Sequence, residues 1–176
     1  MRIAAYLVLA LAVRLLYLHA VADEAPFRHP YAGMDAERYD DLARRVADGD
    51  LALGPRVFDY SALYAYLLGA EYALFGPGPW PARVSNILLG LGTVFLVYRI
   101  AREMAPEGAT ADIAAIGAAL YGPYVVFDTS ALKTTTGLFL VARLAEGFVP
   151  ERLSWDGREL TGRLETPGEL PEPAQG

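Results

Sequence analysis

Asp35 stands in Gly33-Met34-Asp35-Ala36-Glu37-Arg38-Tyr39, between an apolar N-terminal segment and a charged amphipathic stretch. A carboxylate so placed can take a proton from a weak hydroxyl nucleophile as it attacks, if the hydroxyl comes within hydrogen-bond reach. An Asp at this point also suits a helix N-cap, and acids near a helix start suit its dipole. Two further charges lie together downstream, in the polar break from Asp128 to Lys133. Asp128 has the chemistry of a second acid or a metal ligand, and Lys133 that of a point charge for a phosphate. Both also read as plain turn and interface charges, with the lysine stem along apolar surface. Glu37 and Asp40 read as solvated helix residues. Of the two histidines, His19 lies inside an apolar block and His29 stands alone in a loop, so a histidine-based metal site is not expected.

These charges need elements to position them, and the composition points to a membrane. The chain has 176 residues, of which 54% are hydrophobic, and its mean hydropathy is +0.25. That hydrophobicity comes in blocks, as in membrane proteins and unlike a globular core. No cysteine is present, which excludes disulfides and thiolate metal sites. The net charge of −6 gives no reason to expect nucleic-acid binding.

Four blocks have membrane scale. The first, about residues 3–22, is long enough for one crossing and carries Arg14, a charge that must snorkel or face a neighbouring helix. The same stretch also resembles a cleavable signal peptide ending at Ala20-Val21-Ala22, although Arg14 interrupts its apolar region. The block at 81–100 is the cleanest span; Pro81 suits its first turn, and Gly90 and Gly92 would let other helices approach closely. A region from Ile113 to Leu144 is too long for one crossing. Gly122-Pro123 and the Asp128–Lys133 break predict a hairpin of spans at 113–126 and 134–144.

Between the first two spans lies a predicted external loop, 23–80. In it, Met34, Tyr39, Leu42, Ala43 and Val46 recur at helical spacing and predict an amphipathic helix over 35–48, stopped at Gly49. A second apolar stretch, Tyr60 to Phe75, is short for a span. Its Tyr60, Tyr64, Tyr66 and Tyr72 suit a helix at the headgroup belt. Arg2, Arg99 and Arg102 place both ends of this unit in the cytoplasm by the positive-inside rule, so 23–80 and 128–133 face outward. The expectation is a multi-pass protein of the inner, cytoplasmic membrane with a cytoplasmic N-terminus.

After Arg143 the character changes. Residues 145–176 form a polar tail with seven acids and three bases. Asp156-Gly157 between short alternating segments predicts a small hairpin, and the Pro-, Glu- and Gly-rich stretch 166–176 predicts disorder. The abrupt loss of membrane character is what an open reading frame cut short or shifted would leave; a short protein with a cytoplasmic tail is the alternative.

Taken in order, several segments form a pattern: Arg14-Leu15-Leu16-Tyr17-Leu18, Asp35-x-x-x-Tyr39 ending in an acidic-Gly turn, Ser61 to Leu68, Leu74-Phe75-Gly76, and Ala82 to Gly90. Residues 3–143 resemble the N-terminal part of the GT-C superfamily of membrane glycosyltransferases. The nearest branch is the bacterial one of family 39 type, related to protein O-mannosyltransferases and aminoarabinose transferases. The resemblance implies an all-α integral membrane fold over residues 1–144: about four hydrophobic helices plus an external amphipathic helix, the front of a truncated GT-C bundle. It implies a sugar moved with inversion from a polyprenyl-phosphate donor in the membrane lipid to an acceptor on the outer face. Asp35 then matches the family's external-loop Asp, a general base or acceptor-positioning group. Asp128 is the secondary catalytic candidate, and Lys133 and Tyr39 are the substrate- or phosphate-binding candidates. No cofactor follows from the resemblance, which leaves a divalent cation open. Members carry Pro where this chain has Ala62, and they carry more spans, so this chain alone is expected to be inactive or to need a partner membrane chain. The alternative is a small non-catalytic integral membrane protein or assembly partner. A secreted or anchored protein is a third reading, in which the 81–100 span has no role.

Overall fold

A computed structural model describes residues 2–24, 34–54, 59–148, 154–155 and 160–161. They form seven helices: α1 (Arg2–Val21), α2 (Asp35–Ala47), α3 (Ala62–Phe75), α4 (Pro79–Met104), α5 (Thr110–Leu120), α6 (Gly122–Asp128) and α7 (Thr134–Phe148). A short antiparallel pair, β1 (Ser154–Trp155) and β2 (Leu160–Thr161), matches the predicted hairpin. Its predicted turn and the stretch 166–176 lie outside the described residues.

Some of these helices are membrane elements by length and composition. α1 and α4 are each long and apolar enough to cross a membrane. α5 and α6 reach that standard only as one span, bent by 54°. The bend falls where Gly122 and Pro123 open α6, because proline has no N–H to continue the helical ladder. The four spans of the sequence reading are therefore not established. α7 has 15 residues, about 22 Å of helix, against a hydrocarbon core of about 30 Å.

α4 is the central helix and touches α1, α3, α5, α6 and α7. Ala10, Val94, Ala118 and Ala119 fill the seam of α1, α4 and α5. The small residues let these backbones close in, as Gly90 and Gly92 do further along. A Cβ on Gly90 would overlap the Asp128 carboxylate, and one on Gly92 would lie 2.8 Å from Phe139 Cε2.

α2 and α3 make a second layer. Tyr39, Leu42 and Ala43 on α2 pack against Tyr64, Ala65, Leu68 and Tyr72 on α3, with Ala82 of α4 below. Gly69 allows the closest approach; a Cβ there would collide with Val46. The α3 tyrosines are thus not a free headgroup belt. Their spacing turns Tyr64 and Tyr72 toward α2, where Tyr72 donates to Asp40 Oδ1 at 2.6 Å and Tyr64 stacks edge-on to Tyr39. Tyr66 donates to the Leu51 carbonyl at 2.7 Å.

The two ends of the bundle differ. At one end Arg2 pairs with Asp112 at 3.0 Å, Tyr6 meets Tyr98, and Arg99 pairs with Glu146 at 2.8 Å. At the other lie the start of α4, the end of α6, the start of α7, and the α2–α3 layer.

Candidate functional site

Three candidates lie at that second end. Asp35 opens α2 and is exposed; the helix N-cap is Met34, and no side chain caps it. Among the described residues Asp35 makes no side-chain hydrogen bond or ion pair, so its carboxylate is open to solvent. The capping role expected for it is not taken. Tyr39 lies one turn on, on the same helix face. It is fully buried and packed between helices. Its hydroxyl accepts from the Ser61 N–H at 3.1 Å, and its ring is edge-on to Tyr60 and Tyr64. Over that ring sits Lys133, its Nζ 5.9 Å from the centroid. This is a cation–π distance that holds the ammonium near α2 while leaving the side chain exposed.

Beside them opens a cavity of about 270 Å³, lined by Ser61, Leu63, Tyr64, Lys133, Thr134, Thr136, Gly137 and Leu140. It lies between the first turns of α3 and α7. One cation, several hydroxyls and two leucines make it suited to a molecule with an anionic head and an apolar stem. Burial pushes the Tyr64 hydroxyl above the ordinary phenol range, so it stays protonated and able to donate.

Asp128 is not among the open groups. It ends α6 at 2% exposure, and its carboxylate is already used. Arg14 of α1, itself fully buried, approaches Oδ2 with Nε and Nη2, each at 2.6 Å. Thr135, in the first turn of α7, donates to Oδ1 at 2.9 Å. Asp128 lies at the same end of the bundle as Asp35, but buried inside it and not in an exposed turn. Both of its oxygens are engaged in the interior, by Arg14 and Thr135. Arg14 faces a neighbouring helix, one of the two ways open to a charge within a span.

The rest of the Arg14 fork serves the bend that Pro123 makes. Its Nη1 donates to Ala10 O at 3.0 Å and to Ala119 O at 3.3 Å. Ala119 is the residue whose carbonyl a helical N–H at position 123 would have taken, and Pro123 has none. Arg14 supplies the missing donor inside the apolar bundle, where an unsatisfied carbonyl is costly.

Asn86 was not singled out by the sequence reading. It is 1% exposed, and its Nδ2 donates to Ser130 O at 2.6 Å and Leu132 O at 3.3 Å. A polar residue in the predicted span 81–100 was the only sequence signal for it. Among the described residues no group of three or more His, Asp or Glu side chains gathers to hold a metal ion.

No family model, no curated protein and no solved structure matches this chain.

Proposed function

We propose that this membrane protein carries the donor- and acceptor-facing part of a GT-C-type glycosyltransferase. The supporting observation is Lys133, which lines a cavity with an apolar wall and lies over Tyr39, one turn from Asp35 on α2. In this reading the lipid phosphate of a polyprenyl-phosphate sugar lies against Lys133. Asp35 takes the proton of the acceptor hydroxyl. The acceptor oxygen bonds to the anomeric carbon, the bond from that carbon to the phosphate oxygen breaks, and the lipid phosphate leaves with the electron pair. Attack from the face opposite the phosphate inverts the anomeric centre. The reaction belongs to the outer membrane face, with the N-terminus in the cytoplasm.

A second reading, a non-catalytic chain that completes a larger bundle, is favoured by α1, whose surface is mostly uncovered by the rest of the fold. One experiment tests the role of Asp35. Membranes holding the parent chain or Asp35→Asn are supplied with radiolabelled polyprenyl-phosphate sugar. Where the parent transfers, alone or with a partner chain in the membrane, the glycosyltransferase reading expects a loss of about 10²–10⁴-fold in Asp35→Asn, the span of general-base contributions. Equal transfer by both removes Asp35 from the mechanism, and no transfer by the parent favours an inactive front fragment of such an enzyme or the second reading.

A further inference from the structure

The segment 129–133 between α6 and α7 is tied at three places. Asp128 precedes it and Thr135 follows it, and one carboxylate joins the two through the 2.9 Å bond from Thr135. Asn86 of α4 holds the middle through the Ser130 and Leu132 carbonyls. Arg14 anchors Asp128 in turn, from a helix 114 positions earlier in the chain. Beyond the bundle, Ala131 packs on the α2–α3 core and Lys133 lies over Tyr39. A short turn would not need buried Asn and Asp groups to close it. Here the groups that tie it are nine-tenths or more buried, while the residue it delivers is exposed.

We infer that Arg14, Asp128, Thr135 and Asn86 are positioning residues: they form a clamp that holds segment 129–133 as a rigid arm and presents the Lys133 ammonium at the cavity mouth. The arm rests on the reading of Lys133 as the phosphate-facing cation only for its purpose; its rigidity is a separate physical statement. The reason for such a device is chemical. A lysine ammonium is a point charge on a flexible stem with large rotamer entropy. Fixing the backbone that carries it, with the ammonium held over an aromatic ring, lowers the ordering cost when an anion binds.

The absence of cysteine makes the test direct. Spin labels on Lys133→Cys and Asp41→Cys, both exposed positions, report the arm against α2. Labels on Leu16→Cys and Leu88→Cys report the α1–α4 bundle alone. The clamp expects a narrow 41–133 distance distribution in the parent. It expects a broadened one in Asn86→Ala and in the near-isosteric Thr135→Val, with the 16–88 distribution unchanged. A 41–133 distribution of parental width in both variants overturns the clamp. Broadening of 16–88 in parallel also overturns it, since the residues would then hold the whole bundle and not the arm.

A second readout is binding of undecaprenyl phosphate in detergent, with undecaprenol as the uncharged control. Lys133→Gln is expected to weaken the phosphate-bearing lipid about tenfold, and Asn86→Ala nearly as much, with the control unaffected. If neither variant alters phosphate binding while the arm still broadens, the donor reading fails and the clamp stands.

Discussion

Arg14 sits where a charge is expensive, and two carbonyls and a carboxylate account for it. Removing one partner is expected to be far worse than removing both. Arg14→Leu leaves the Asp128 carboxylate buried without its cation, a loss of about 3–5 kcal/mol. In Arg14→Leu with Asp128→Leu that unpaired charge is gone. What remains is chiefly the orphaned Ala119 carbonyl, about 1–3 kcal/mol. Thermal unfolding of the purified variants in one detergent measures the difference, and a double variant as unstable as the single would refute the account. Gly90→Ala tests the same place from α4. The added methyl overlaps the Asp128 carboxylate, so a loss of about 1–3 kcal/mol is expected from forced repacking. The presence of Arg14 in an apolar block was plain in the sequence, and so was its need to face a neighbour. Its partner was not, because a pairing across 114 residues leaves no local periodicity to read.

The helices followed their local chemistry. α2 begins at Asp35 and stops at Ala47, before Gly49, within a residue of the reading from apolar spacing. Gly122-Pro123 marked the break between α5 and α6, since Pro acts on its own helix. The direction in which α3 faces its tyrosines was hidden: composition alone suited a lipid headgroup belt, and only the docking of α2 shows them as an interhelix seam. The turn that closes α2 gives a pH prediction. Arg45 donates to Asp50 Oδ2 from Nε and Nη2, and Leu53 N–H donates to Oδ1 at 3.2 Å. The Arg45 bonds, then the Leu53 amide, hold the Asp50 carboxyl below the usual carboxylate range. A depressed native pKa means the turn's stabilisation is present above the unfolded value, about pH 4, and is lost as pH falls through the native value. Protection of the Leu53 amide against exchange, corrected for intrinsic rate, is expected to hold at pH 5 and fall below pH 4. Asp50→Asn is expected to show the low protection at both.

At the scale of the molecule, Arg2, Arg99 and Glu146 gather at one end and Lys133, Tyr39 and Asp35 at the other. The positive-inside rule assigns the first end to the cytoplasm. In intact cells a membrane-impermeant thiol reagent is expected to label Asp41→Cys, on α2, and to leave Glu107→Cys, beyond α4, unlabelled until lysis. The reverse pattern inverts the topology and removes the outer-face chemistry with it. That Asp35 and Lys133 share an end was legible from the alternation of blocks. That Lys133 arrives on a tethered arm was not, because Asn86 and Thr135 carry no pattern until their partners are folded against them.

The long-range pair also sets a clock. Ribosomes deliver about 5–20 residues per second, so the 114 positions from Arg14 to Asp128 correspond to roughly 6–23 seconds of synthesis. Throughout that interval α1 holds its guanidinium in or beside the bilayer without its counter-ion, at a cost of about 2.5–3.5 kcal/mol on insertion scales. Chains arrested before residue 128 are expected to release α1 into alkaline extract more readily than completed chains freed from the ribosome. On that outcome, firm commitment of the first helix to the membrane waits for the sixth.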